Sequence, residues 1–169
     1  MNIVALNASH TDALAALLID TVANGGSVSF MHPLAINEAH KFWTGALQDA
    51  MEGKRIILGA VDNKELLGTV SLLLDCPPNQ PHRAEIAKMM TKFSHRGQGI
   101  ARRLLQEAEQ RALDAGRWLI TLDTAEDEGA SGFYEKQGYH RTGLIPDFAL
   151  KPHGGLTGTI IYWKKLTGR

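Results

Sequence analysis

The chain has one cysteine, Cys76, so no internal disulfide can brace it and packing must hold the fold. No apolar run approaches the length that crosses a bilayer, so no membrane span is expected. Neither sign of charge is in excess: Lys plus Arg number 18, and so do Asp plus Glu. That balance removes the overall basic field of a nucleic-acid binder or of a protein drawn to anionic lipid. The seven histidines are scattered, with no His-Glu-x-x-His and no paired cysteines, so no metal site is expected. Internal repeats, low-complexity tracts and inter-domain linkers are also missing; the longest polar connection, Asp75 to His82, is merely proline-rich. At 169 residues and 44% hydrophobic, the chain is expected to be one domain, 1–169, with a substantial core. It opens on no secretory-signal pattern, and with its lone cysteine a cytoplasmic location is the expectation.

What is there centres on Ala84 to Ala115. Ala84 to Thr91 reads as a strand, Ser94-His95-Arg96-Gly97-Gln98-Gly99 as a turn, and Ile100 to about Leu113 as a helix stopping near Gly116. The first turn of such a helix presents backbone N–H groups without intrahelical partners. Gly97 and Gly99 let an anion approach them, the helix dipole adds partial positive charge, and Arg96 adds a full one. The combination is a seat for a phosphate or diphosphate. It is not the nucleotide-hydrolase loop, since no Gly-Lys-Ser/Thr follows. Nor is it the dinucleotide fingerprint, because Arg102 stands where a third glycine belongs.

Around this unit the elements can be read in order. Asn2 to Leu6 predicts a strand, Asn7 or Ser9 a cap, and Leu14, Leu17, Leu18 and Val22 one helical face. Pro33 predicts the start of a second helix carrying Ala39, Phe42, Trp43, Ala46, Leu47 and Ala50 inward. Arg55 to Asp62 and Leu66 to Leu74 predict a hairpin, and Trp118 to Asp123 a buried strand. Gly129 to Gln137 predicts a short helix, Tyr139 to Leu144 a strand, Pro146 to Gly155 a loop, and Gly158 to Lys165 the last strand. The fold class expected is α/β, of mixed α+β type: a largely antiparallel central sheet with helices on both faces.

Arg96-Gly97-Gln98-Gly99-Ile100-Ala101 matches the Arg/Gln-x-x-Gly-x-Gly/Ala signature of the GNAT superfamily of N-acetyltransferases. Ala130 to Tyr139 resembles that superfamily's Ala-x-x-x-Tyr-x-x-x-Gly-Phe/Tyr segment, and the element order is similar from Asn2 to Leu166. The resemblance implies the acyl-CoA N-acyltransferase fold and acetyl-CoA as co-substrate. Its diphosphate would be held by Arg96, Gly97, Gln98, Gly99, Ile100 and Ala101, and its pantetheine arm by the backbone of Met89, Met90 and Thr91. Thr91 and Phe93 stand where the superfamily often has valine and proline, and Glu126-Asp127-Glu128 lacks the asparagine common ahead of the tyrosine.

The chemistry implied needs a base to take the amine's proton, donors for an oxyanion, and an acid for the departing thiolate. Tyr134 is the candidate acid by its place in the second segment. Glu85 and Asp123 are both candidate bases, one early on its strand and the other at the carboxyl end of the next. Cys76 is read as a packing or surface residue rather than a nucleophile, and His82 as solvated in its proline loop. Within the superfamily, Gly26 to Met31, Arg83 to Ile86, Leu122-Asp123-Thr124 and Thr159 to Lys164 resemble the tabtoxin-resistance acetyltransferases. Those acetylate a β-lactam amino-acid toxin, with residues matching Asp123 and Tyr134 as the proposed catalytic pair. The resemblance implies a small, amino-acid-like amine as partner and a monomer or homodimer as assembly. Acetylation of a protein N-terminus or an aminoglycoside, and a non-catalytic acyl-CoA sensor, are the alternatives. Glu85, Asp123 and Tyr134 together favour an enzyme over the sensor.

Overall fold

The computed structural model describes residues 1–126 and 130–167. Strand β1 (Asn2–Ala5) leads to helices α1 (Thr11–Ala23) and α2 (Ile36–Met51). Strands β2 (Arg55–Asp62), β3 (Glu65–Leu73) and β4 (Arg83–Thr91) follow, then helix α3 (Ile100–Asp114) and strand β5 (Leu119–Ala125). A short helix α4 (Ala130–Lys136) precedes β6 (His140–Leu150) and β7 (Leu156–Lys165). The seven strands form one sheet in the order β1-β2-β3-β4-β5-β7-β6. Every neighbouring pair is antiparallel except β4–β5, which needs α3 as its crossover.

Consecutive residues of a strand face opposite sides, and both sides of this sheet are covered. Ile57 therefore packs with Leu14, Leu18 and Trp43 in the core under α1 and α2. Its neighbour Leu58 packs with Leu104, Leu105 and Tyr162 in the core under α3. This double burial explains why β2 reads as an unbroken apolar run. The β2–β3 hairpin closes on Asn63 and Lys64, both left-handed at φ 46° and 70°, as a two-residue primed turn requires.

Three expectations from the sequence need correction. Asn7 caps a 3-10 turn, Ala8–His10, by accepting from Ser9 N at 3.0 Å; α1 begins only after that turn. Helix α2 starts at Ile36, with Pro33 outside it. Pro146 to Leu150 continues strand β6 rather than forming a loop. A proline fits there because β6 is an edge strand and its pairing with β7 is irregular between Ile145 and Ala149. Asp127, Glu128 and the expected helix start at Gly129 lie outside the described residues.

The feature that makes a site is where β4 and β5 part. They pair only at Arg83–Leu119, Ala84–Ile120 and Glu85–Thr121, so beyond Glu85 the β5-facing edge of β4 has no strand partner. On its other side β4 carries a bulge. Thr69 pairs with Met90 and Ser71 with Ala87, which sets both Lys88 and Met89 against the single residue Val70. Lys88 takes the strain of that extra residue, at φ 50°.

Candidate active site

The parting of β4 and β5 opens a cavity of about 940 Å³. Its walls come from β4, the glycine turn, the start of α3, the end of β5, α4, and the Gly25–Phe30 stretch between α1 and α2. One end gathers open backbone amides and two arginines, a chemistry that suits an anion. Gly97 and Gly99 are left-handed at φ 76° and 78°, a backbone that costs an L side chain about 1 kcal/mol or more. An added Cβ at either glycine would meet nothing within 4 Å, so both backbones face open space. Gly99 is the N-cap of α3 and supplies no side-chain cap, which leaves the first-turn amides available. Arg96 and Arg102 both line this end. The Arg96 guanidinium sits 5.1 Å from the Phe93 ring centroid.

The other end carries the titratable pair. Asp123, near the carboxyl end of β5, is exposed in the cavity. Its carboxylate is oriented by the Thr159 hydroxyl of β7, which donates to Oδ2 at 2.7 Å. Tyr134 reaches the same cavity from α4 and is only 5% exposed. Burial, and then the Asp123 charge, push its phenol above the ordinary tyrosine range, so it stays protonated at neutral pH. Its ring is fixed against Phe133, Tyr139 and Tyr162, at centroid distances of 5.1, 5.7 and 5.9 Å. An acceptor of protons and a donor of protons thus share one chamber with an anion seat.

A family model described as the acetyltransferase (GNAT) family matches residues 24–139, which includes β4, the glycine turn, α3, β5 and α4. The chain belongs to the GNAT family. It is 34% identical to human N-acetyltransferase 8B over 86 residues, 50% of this chain and 38% of that protein. The chain covers 38% to 55% of the lengths of the curated relatives it matches. Among solved structures it superposes on a ribosomal-protein-alanine N-acetyltransferase from Brucella melitensis with TM-score 0.82 and 20% identity, covering 98% and 100% of the two chains. It also superposes on an aminoglycoside 6'-N-acetyltransferase complexed with coenzyme A, with TM-score 0.76, 22% identity and coverage of 100% and 99%. At these identities the structural likeness is one of fold. Among the described residues, no helix is long and apolar enough to cross a membrane.

Within this GNAT domain the structure gathers most of the residues singled out from the sequence. Met89, Met90, Thr91, Arg96, Gly97, Gly99, Ile100, Ala101, Asp123 and Tyr134 all line the cavity. Gln98 does not; it faces a smaller recess beside Met1, Asp62 and Glu65. Glu85 also lies outside the lining, on the stretch of β4 still paired with β5, and its carboxylate meets Arg83 at 3.5 Å. His82 is not paired with it but stacks on Trp118, with ring centroids 4.7 Å apart. Several polar and charged lining residues are not marked as site residues by any local motif. Thr159 and Ser29 stand only inside longer segments of resemblance and Arg102 only as a broken fingerprint, while Lys88 carries no signal of its own. Thr159 is the diagonal cross-strand neighbour of Asp123, a relation fixed by β5–β7 register that no local motif encodes.

Proposed function

We propose that this GNAT domain is an acetyl-CoA-dependent N-acetyltransferase acting on the primary amine of a small, amino-acid-like acceptor. The observation that carries the reading is the meeting of Asp123 and Tyr134 in the cavity that the glycine turn closes at its other end. The residues present fit the donor. Open amides at the start of α3, with Arg96 and Arg102, suit a diphosphate, and the unpaired edge of β4 offers hydrogen bonds to an amide-rich arm like an added strand. A primary amine is charged at neutral pH, with a pKa of about 10, and must lose a proton before it attacks. Asp123 is placed to receive that proton, directly or through water. The nitrogen then bonds to the thioester carbonyl carbon, and backbone N–H groups of β4 stabilise the oxyanion. As the carbon–sulfur bond breaks, the Tyr134 hydroxyl delivers its proton to the leaving sulfur, and the second proton, shed by the nitrogen as it becomes an amide, returns to Tyr134 and restores the phenol. Of the two candidate bases, the cavity favours Asp123, because Glu85 is held by Arg83 outside it.

The amino-acid-like acceptor is supported by the resemblance of Gly26 to Met31 and of Leu122-Asp123-Thr124 to the tabtoxin-resistance acetyltransferases. The test is thiol release from acetyl-CoA with a panel of amino acids, polyamines, aminoglycosides and peptides bearing free N-termini. Amine-dependent release, strongest with amino acids, is the expected result. No release with any amine, together with no binding of coenzyme A by calorimetry, would overturn the proposal.

A further inference from the structure

Lys88 is the cavity cation that the reaction above leaves unused. It sits on the bulge of β4, where φ 50° breaks the strand's alternation, and it lines the chamber that holds Asp123. Its ammonium donates to the Ser29 hydroxyl at 3.0 Å. It also lies 5.6 Å from the Phe42 ring centroid and 6.0 Å from that of Phe30. Among the described residues no carboxylate comes within the 4.0 Å of an ion pair with it. Apart from the Asp123 charge acting on it within the chamber, a hydroxyl and two aromatic faces are all that compensate this half-buried ammonium, which leaves it able to take a further anion. The diphosphate already has Arg96, Arg102 and the α3 amides at the far end. Lys88 instead borders the segment between α1 and α2, through Ser29 and Phe30, in the chamber that also holds Asp123.

We propose that Lys88 binds a carboxylate carried by the acceptor beside its amine, so that the substrate is an amino acid presenting its nitrogen to Asp123 and its carboxylate to Lys88. This deepens the N-acetyltransferase reading and rests on it. A cation on one wall and a carboxylate on the other match the two charges of a zwitterion. They disfavour a polycationic acceptor, whose extra ammonium groups would meet Lys88 as like charges. Lys88 is thereby a specificity-determining residue, and Ser29 holds its ammonium in place.

The test uses matched acceptor sets: an amino acid, its carboxamide and its decarboxylated amine, assayed by thiol release from acetyl-CoA with the wild type, Lys88→Met and Lys88→Arg. Calorimetry with the N-acetylated amino acid and the N-acetylated amide measures recognition without turnover. The wild type should prefer the amino acid by roughly ten- to a hundred-fold in kcat/KM, the worth of a charge-assisted hydrogen bond. Lys88→Met should erase that preference through KM for the amino acid alone, leaving KM for acetyl-CoA unchanged, and Lys88→Arg should retain it. A lysine that merely braced the Ser29 loop would instead weaken all three acceptors alike, and that result overturns the proposal, as does a wild type indifferent to the carboxylate. If no acceptor turns over, the calorimetric arm decides. Carboxylate-dependent binding lost in Lys88→Met supports Lys88 and leaves only the catalytic reading refuted. Binding that ignores the carboxylate, or none at all, overturns both.

Discussion

Removing one oxygen atom from Tyr134 separates catalysis from architecture. The ring of Tyr134 packs on Phe133, Tyr139 and Tyr162, and a phenylalanine keeps all three contacts. Loss of a buried hydroxyl changes stability by about 1 kcal/mol or less when the ring stays in place. The hydroxyl of the wild type is held protonated by burial and by the Asp123 charge, so the acid form is fully populated at neutral pH. General acid catalysis is worth about 10²- to 10⁴-fold when the leaving group needs its proton. A thiol of pKa about 8.5 departs partly unaided, which places the loss in the lower range, roughly ten- to a thousand-fold. In barrier terms this is about 1.4 to 4 kcal/mol. Steady-state thiol release reads kcat, and calorimetry reads the affinity for acetyl-CoA, which should not move. The sign of the pH effect follows from the shift. A phenol raised above its ordinary pKa of about 10 loses its proton only at higher pH, so the wild-type rate should show no falling limb from this residue below about pH 10. An unchanged kcat in Tyr134→Phe would remove the acid from the mechanism, and a matching loss of acetyl-CoA affinity would recast Tyr134 as a binding residue.

Three further outcomes follow from individual positions. Gly99→Val places a branched side chain at φ 78° with its Cβ in the anion seat; acetyl-CoA binding by calorimetry should weaken at least about tenfold, and equal affinity would refute the seat. Gly68→Ala brings a Cβ within 2.8 Å of the Met90 carbonyl and 3.0 Å of Ile100, where α3 packs on the sheet, so urea unfolding should report a loss of about 1–3 kcal/mol; an unchanged midpoint would show that α3 yields freely. Burial, opposed by Asp123 and reinforced by Arg55, lowers the Lys88 pKa, so the native state holds this proton less tightly than the unfolded chain and stability gains as pH rises through that lowered value toward the ordinary lysine range. Lys88→Met should accordingly raise Tm, by roughly 2–4 °C, and a fall would mean that the ammonium is better satisfied than its surroundings indicate.

Much of the fold was written in local patterns. The apolar spacing of α2 and α3, the Asn63-Lys64 turn and the glycine-bounded strand and helix at the centre of the chain were readable because each is decided by neighbours in sequence. Strand β6 was not, since Pro146 and the exposed residues after it look like a loop until β7 supplies the partner that makes them a strand. The turn that forms the proposed anion seat was legible for the same reason as α3: Arg96, Gly97 and Gly99 belong to a turn only a few residues long. Thr159 and Ser29 were illegible as site residues because their partners lie 36 and 59 positions away.

The bulge in β4 shows how one long-range decision sets the character of the site. In a regular strand Ile86, Lys88 and Met90 would share a face. They do not: Ile86 belongs to the core under α3, whereas Met90 belongs to the core under α1 and α2. The extra residue opposite Val70 reverses the alternation, and Lys88 stands where it reverses. Straightened, β4 would send a residue to the wrong core on one side of position 88 or the other. The pairing with β3 that creates the bulge therefore satisfies both cores and leaves Lys88 at the reversal, lining the cavity. Because β5 has already parted from β4 there, no neighbouring strand covers it. The charge that we assign to substrate recognition is thus a consequence of strand register. A deletion that removed the bulge would be expected to cost the fold a core face as well as the acceptor its anchor.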